Sequence, residues 1–211
     1  NDNSLTDKWL DTLHRSRIIS AACQYDLDHC TKHAQELFEQ WFNSPANNTI
    51  PANQRRVVYC TSVRLGDQAR FQFLVREYQI SNDPQEKARI QSALACTRDI
   101  ESIRYLLDIH INPDRNIIRR QDVLSGIRAI CRNAIAEVEC WSFVRLRWSQ
   151  LFFSYGGSLS FAELIKDTTG RFNKPIQLEE FELFATETVD KVGKARAYYR
   201  RFFYCFVCHL L

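Results

Sequence analysis

The 211-residue chain contains no methionine. Opening on Asn1 without one, it is expected to be a piece cut from a longer product, and its polar, amphipathic start, NDNSLTDKWL, carries no secretory signal peptide. Charge of one sign is not in excess either. Lys and Arg number 28 against 25 Asp and Glu, a formal net charge of +3, and the two signs interleave along most segments. Such a balance does not call for nucleic acid. The densest basic run, RNIIRR from Arg115 to Arg120, lacks the interleaved aromatics on which bases stack and reads as a helix flank. No run alternates with period two, so strands are not expected. Long apolar runs are missing as well: Phe202 to Leu211, FFYCFVCHLL, is half the ~20 residues a membrane-spanning helix needs. Nor does it suit a glycolipid-anchor signal, because Tyr198-Tyr199-Arg200-Arg201 stands where small residues and a polar spacer belong. It reads as a last helix docked on its neighbours.

What the chain does have is cysteine. The eight are Cys23, Cys30, Cys60, Cys96, Cys131, Cys140, Cys205 and Cys208. An even, high count without two zinc-type C-x-x-C pairs favours disulfides and an oxidising compartment over metal binding. The sequon Asn47-Asn48-Thr49, in a polar loop beside Pro45 and Pro51, agrees and offers Asn47 as a glycosylation acceptor. Cys205 and Cys208 form a lone C-x-x-C in an apolar tail, without the strand-helix setting of a redox motif. One stretch imitates a zinc-protease helix: His29-Cys30-Thr31-Lys32-His33 spaces two histidines one helical turn apart. Cys30 replaces the Glu that would activate the metal-bound water, and Ala52 stands where a distal Glu ligand would be. HCTKH is therefore read as the solvated face of an amphipathic helix.

Hydrophobic residues make up 45% of the chain, ample for a core. They recur with helical spacing in Leu37, Phe38, Trp41, Phe42; in Ile90, Ala93, Leu94; in Ile103, Leu106, Leu107; and in Trp141, Val144, Trp148, Leu151. Breaks fall at 43–51, Gly66-Asp67, 81–84, 112–114, Gly156-Gly157 and 170–175. Asp83-Pro84-Gln85-Glu86 has an N-cap Asp, a first-turn Pro and a Glu three residues after the cap, and Ser160-Phe161-Ala162-Glu163 is a second capping-box candidate. The pattern predicts about ten helices with short loops that make neighbours antiparallel. An all-α, HEAT/armadillo-like solenoid of antiparallel helix pairs is the expected architecture, and a globular helical bundle the alternative.

Several local patterns, in this order and spacing, resemble a known family: Val58-Tyr59-Cys60, Ala93-Leu94-Ala95-Cys96, Asn112-Pro113 followed by Ile118-Arg119-Arg120-Gln121-Asp122, Trp141 to Trp148, Leu151-Phe152 with Tyr155-Gly156-Gly157, and Arg171-Phe172. Together they are similar to the C-terminal helical domain of the gluzincin zinc aminopeptidases, over roughly residues 5–184. The resemblance implies the pairs Cys23–Cys30 and Cys60–Cys96. The turn in CQYDLDHC can bring its ends within the ~5–6 Å a disulfide requires, and closing the longer loop contributes about 3–4 kcal/mol by restricting the unfolded chain. Cys131 and Cys140 could pair only if the helix breaks between them, near Ile135-Ala136-Glu137. The resemblance further implies one domain over 1–211 that lacks the catalytic motifs and is inactive alone. Such a domain would cover the active site, line the peptide cavity and support folding of its catalytic partner. No cofactor is expected in this chain, zinc belonging to the full-length enzyme. The expected partners are the catalytic domain of the same polypeptide, peptide substrate and a second copy of the full-length protein, at the extracellular face of the plasma membrane or in secreted form. The resemblance implies Gly157, Ser158, Leu159, Ser160 and Glu163 as the substrate-cavity residues, and their chemistry is compatible, since glycines allow close backbone approach and a helix start presents unpaired N–H groups. A stand-alone helical-repeat interaction module and a receptor surface for a toxin or virus are the competing readings.

Overall fold

The computed structural model describes residues 3–112, 114–115, 117–156 and 159–192. Among them are eleven α-helices, two short 3-10 turns and no strand, so the protein is all-α. One compact unit, residues 1–136, holds α1 (Asn3–Gln24), α2 (Asp28–Asn43), α3 (Arg55–Leu65), α4 (Gln68–Ile80), α5 (Pro84–Leu94), α6 (Ile100–Ile111) and α7 (Val123–Cys131). The other, residues 137–211, holds α8 (Glu137–Leu146), α9 (Trp148–Tyr155), α10 (Leu159–Thr169) and α11 (Pro175–Val192). None of the described helices is long and apolar enough to cross a membrane. Cys205, Cys208 and the apolar run from Phe202 lie outside the described residues.

Aspartates start three consecutive helices. Asp67 accepts the Arg70 N–H at 3.2 Å, Asp83 the Gln85 N–H at 2.8 Å with Pro84 following it, and Asp99 the Ser102 N–H at 2.8 Å. Each satisfies a backbone donor that the first helical turn cannot. Hydrogen bonds from Arg70 and from Ser102 hold the Asp67 and Asp99 carboxyls below the usual range.

In the first unit the odd-numbered helices form a row in which α1 touches α3, α3 touches α5 and α5 touches α7, while α2, α4 and α6 pack on α3, α5 and α7. The row leaves most of α3 covered: Val57, Val58, Tyr59, Thr61, Ser62 and Val63 are all buried. Between α2, α3 and α4 lies an aromatic cluster, with Trp41 stacked on Tyr59 at 4.9 Å and edge-on to Phe73 at 4.8 Å, and Phe38 edge-on to Phe73 at 5.8 Å.

The second unit is organised around two tryptophans. Trp141 of α8 packs against Phe172, Phe181 and Phe184, and donates its indole N–H to Glu180 at 2.8 Å. Trp148 of α9 meets Phe161 and Phe184 at 5.0 and 5.1 Å. The stripe Trp141, Val144, Trp148, Leu151 is not one helix, since Arg147 interrupts it at φ −105° and ψ 11°, yet all four side chains remain buried. Upstream, α7 stops at Cys131 and a 3-10 turn, Ala134–Ala136, precedes α8. The helical path thus breaks between Cys131 and Cys140, and both cysteines are buried.

A polar contact fixes the junction of α5, α6 and α7. His110, 1% exposed, places Nδ1 2.6 Å from the Leu106 carbonyl, so this nitrogen carries the proton and Nε2 accepts from the Gln91 amide at 3.1 Å. Gln91 also donates to the Asp122 carbonyl at 3.1 Å. Gly126 closes over them, and a Cβ there would run into both side chains. Gly126→Ala is therefore expected to lower stability by about 1–3 kcal/mol, read from urea unfolding.

Burial pushes His110 down to about 4, against the partial opposition of its bond to Leu106. The folded protein thus keeps His110 neutral between about 6.5 and about 4, while the unfolded chain binds a proton there. Stability from this group is complete above 6.5 and falls by about 1.4 kcal/mol per pH unit as pH drops through that window. Urea midpoints at pH 7, 5.5 and 4 should show a steeper acid decline for the native sequence than for His110→Gln.

Candidate functional site

The glycine-bounded segment connects α9 to α10. The N–H of Gly156 donates to the Phe152 carbonyl at 2.7 Å, and a Cβ at Gly156 would stand 2.5 Å from that oxygen, so the position admits no side chain. Phe161 of α10 packs on Trp148 and Phe152 of α9 at 5.0 and 5.8 Å, tying together the two helices that flank the segment. Gly157 and Ser158 lie outside the described residues, as do the side chains of Leu159 and Ser160. The backbone of Leu159 opens α10, which places Ser160 inside the first turn rather than at the cap. Glu163 follows one turn later, half-exposed, and Phe153 of α9 is 84% exposed.

The two-histidine stretch has a different fate. His29, Lys32 and His33 are exposed on α2, and Lys32 reaches back to Asp28 at 3.9 Å. Cys30 is bonded to Cys23 with their Cα atoms 5.1 Å apart, and Cys60 to Cys96 at 5.4 Å, the two pairs that the resemblance implies. No group of three metal-ligating side chains occurs among the described residues.

Around each disulfide sits a polar network that sequence reading missed. Tyr59, next to Cys60, donates its hydroxyl to Glu86 at 2.5 Å and accepts from the Asn48 amide at 2.6 Å. The second Glu86 oxygen accepts from Arg55 at 3.2 Å and Arg89 at 3.0 Å. Burial, reinforced by the Glu86 carboxylate, drives the Tyr59 pKa upward, so the phenol remains a donor. In the short clip, Asp26 takes a left-handed backbone, φ 55°, and its carboxylate receives Arg64 at 2.5 Å and Arg98 at 3.4 Å. Arg64 also donates to the Cys23 carbonyl at 2.6 Å. The bond from Arg64 holds the Asp26 carboxyl below its ordinary range. The sequence signal for the first network was Val58-Tyr59-Cys60 itself, a polar aromatic beside a cystine in an otherwise apolar helix. Arg119 and Asp122, left without a role by the sequence, pair with each other at 2.6 Å, and the Asp122 carbonyl serves Gln91.

This framework of two disulfides on a helix-pair row has relatives. A family model described as the ERAP1-like C-terminal domain matches residues 1–199. The chain belongs to that family. It is 35% identical to aminopeptidase N of Oryctolagus cuniculus over 185 residues, 87% of this chain and 19% of the relative. Aminopeptidase N of Homo sapiens is 32% identical over 185 residues, with the same shares of both chains. Endoplasmic reticulum aminopeptidase 2 of Bos taurus is 29% identical over 186 residues, covering 85% of this chain and 19% of the relative. The chain thus spans about a fifth of the length of the curated relatives it matches.

Within this ERAP1-like C-terminal domain, the network at Tyr59 has a measurable weight. Tyr59→Phe removes the bonds that Tyr59 makes to Glu86 Oε1 and to the Asn48 amide nitrogen in a largely buried site, and should cost about 1–3 kcal/mol. Combining it with Glu86→Gln should cost less than the two single changes together, because they act on one bond; urea unfolding of the four proteins measures the coupling.

Proposed function

We propose that this chain is the non-catalytic C-terminal domain of a zinc aminopeptidase, folded as one HEAT-like domain over residues 1–211. In this reading it covers the active site of its catalytic partner, lines the peptide cavity and supports that partner's folding while N-terminal residues are cleaved from peptides. The observation that carries the reading is the match of residues 1–199 to a C-terminal domain whose named relatives are aminopeptidases. The row of α1, α3, α5 and α7 supports it, since stacked helix pairs build an extended lining rather than a single pocket.

The described residues of this chain do not fit zinc. Cys30 is consumed by a disulfide, and His29 and His33 stand exposed with no third ligand group. Zinc and the water it activates belong, on this reading, to the catalytic domain, and no proton or bond passes through the residues described above. What this domain contributes is position. The backbone that follows Gly156, with Gly157, Ser158, Leu159, Ser160 and Glu163, approaches the peptide beyond the scissile residue. The disulfides support a location at the extracellular face of the plasma membrane or in secreted form.

The test uses the full-length protein. Deleting residues 1–211 should abolish release of N-terminal residues from peptides of four or more residues. Leu159→Ala should raise KM for such peptides a few-fold, on the order of 1 kcal/mol of lost apolar contact, with no change on a single-residue anilide substrate. A coding sequence upstream of Asn1 with no H-E-x-x-H and distal Glu, or a deletion that leaves peptide turnover intact, would sink the proposal in favour of a stand-alone interaction module.

A further inference from the structure

The connection between α2 and α3 carries the chain's one Asn-x-Ser/Thr sequon without proline, Asn47-Asn48-Thr49. Its four residues 47–50 have no helical or strand assignment and alternate in direction. Asn47 and Thr49 are exposed, whereas Ile50 is 1% exposed and Asn48 is held inward. The Asn48 amide donates to the Tyr59 hydroxyl at 2.6 Å, and its side-chain oxygen accepts the Ile50 N–H at 3.1 Å. The middle residue of the sequon is therefore fully engaged by the fold, and its engagement turns the two recognition residues, Asn47 and Thr49, outward together. Upstream, the Asn47 N–H closes a turn on the Ser44 carbonyl at 3.0 Å, and Trp41 donates its indole N–H to the Pro45 carbonyl at 3.2 Å. The loop is anchored on both sides of the acceptor, and the acceptor itself is left free of the core.

We infer that Asn47 carries an N-linked oligosaccharide and that the rim of residues 44–54 faces solvent in the assembled protein. Two independent observations meet here. The Cys23–Cys30 and Cys60–Cys96 bonds require passage through an oxidising compartment, where such transfer takes place, and the folded chain offers the acceptor and its hydroxyl residue on one accessible face. In the transfer the Asn47 side-chain nitrogen attacks the anomeric carbon of an oligosaccharide linked to a lipid pyrophosphate. A C–N bond forms, the C–O bond to the pyrophosphate breaks with its electron pair leaving on the lipid pyrophosphate, and the nitrogen gives up one proton to a base on the transferase. The folded structure accommodates the product because nothing packs on Asn47.

The consequence reaches beyond the modification. A bulky, solubilising glycan on this loop occupies the end of α2 opposite the Cys23–Cys30 clip, about 24 Å away along a 16-residue helix. A macromolecular surface cannot close over the rim at the same time, so the remainder of the polypeptide engages this domain elsewhere.

The experiment expresses the full-length protein in the secretory pathway of animal cells and digests it with trypsin. Glycans are then released with peptide N-glycosidase in heavy-oxygen water. The peptide of residues 33–55 is expected to show Asn47 converted to Asp with the heavy label, and Asn48 unchanged. Asn47→Gln and Thr49→Ala should abolish the gel shift that the glycosidase produces from this segment, and Thr49→Ser should retain it. Secreted, disulfide-bonded protein with unmodified Asn47, or with the label at Asn48, overturns the inference. Aminopeptidase activity of the same preparation is a separate readout, so failure of the functional proposal and failure of this one are distinguishable.

Discussion

Two neighbouring residues, Tyr59 and Cys60, clamp α3 to both ends of α5. Tyr59 reaches Glu86 in the first turn of α5, joined there by Arg55, and Cys60 is bonded to Cys96 just beyond its last turn. A helix held at both ends cannot slide or rotate against its neighbour, and α3 and α5 are the middle members of the row on which α2, α4 and α7 pack. The clamp combines two kinds of restraint. The disulfide limits the unfolded chain, while the buried phenol-carboxylate bond makes the native register specific, since any shift would strand a desolvated acceptor.

Polar groups recur inside this otherwise apolar row wherever three elements meet. Tyr59 joins α3 to Glu86 of α5 and to Asn48 of the loop before α3; Gln91 and His110 join α5 and α6 to the turn before α7; Asn133 donates to the Ala95 and Thr97 carbonyls at 3.0 and 2.7 Å. In a stack of similar helix pairs, apolar contacts alone would tolerate neighbouring registers. These bonds do not, because each has one partner at one place.

Sequence reading located most of the skeleton and little of this wiring. Helix boundaries at Asn43, Gly66, Asp83, Asn112 and Gly156 were legible because local chemistry sets them: glycines, prolines and aspartate caps act within a few residues. Asp83 does cap α5. Glu86, three residues on, was read as its capping partner, yet its carboxylate turns to Tyr59 and two arginines, and nothing local could reveal that. Nothing near His110 in the sequence marks it as buried; its burial depends on Gly126 making room from another helix. At the candidate site, the double glycine and the following helix were visible, but Ser160 was placed at the cap whereas α10 begins at Leu159. The zinc-like histidine pair was rejected because Cys30 and Ala52 stand where the two glutamates would be, and the fold supplies the reason that Cys30 is there.

Asp26 gives the short clip a meaning for assembly. A non-glycine residue in the left-handed region is unfavourable on its own, by about 1–2 kcal/mol. The groups that hold it there, Arg64 and Arg98, come from the last turn of α3 and from the segment after Cys96, far along the chain. Cysteines seven positions apart can meet at any stage of synthesis, but the turn between them becomes comfortable only once the distant arginines have arrived. The first bridge in the chain thus depends for its final conformation on Arg64 and Arg98 being in place, which makes a local crosslink a report on global order.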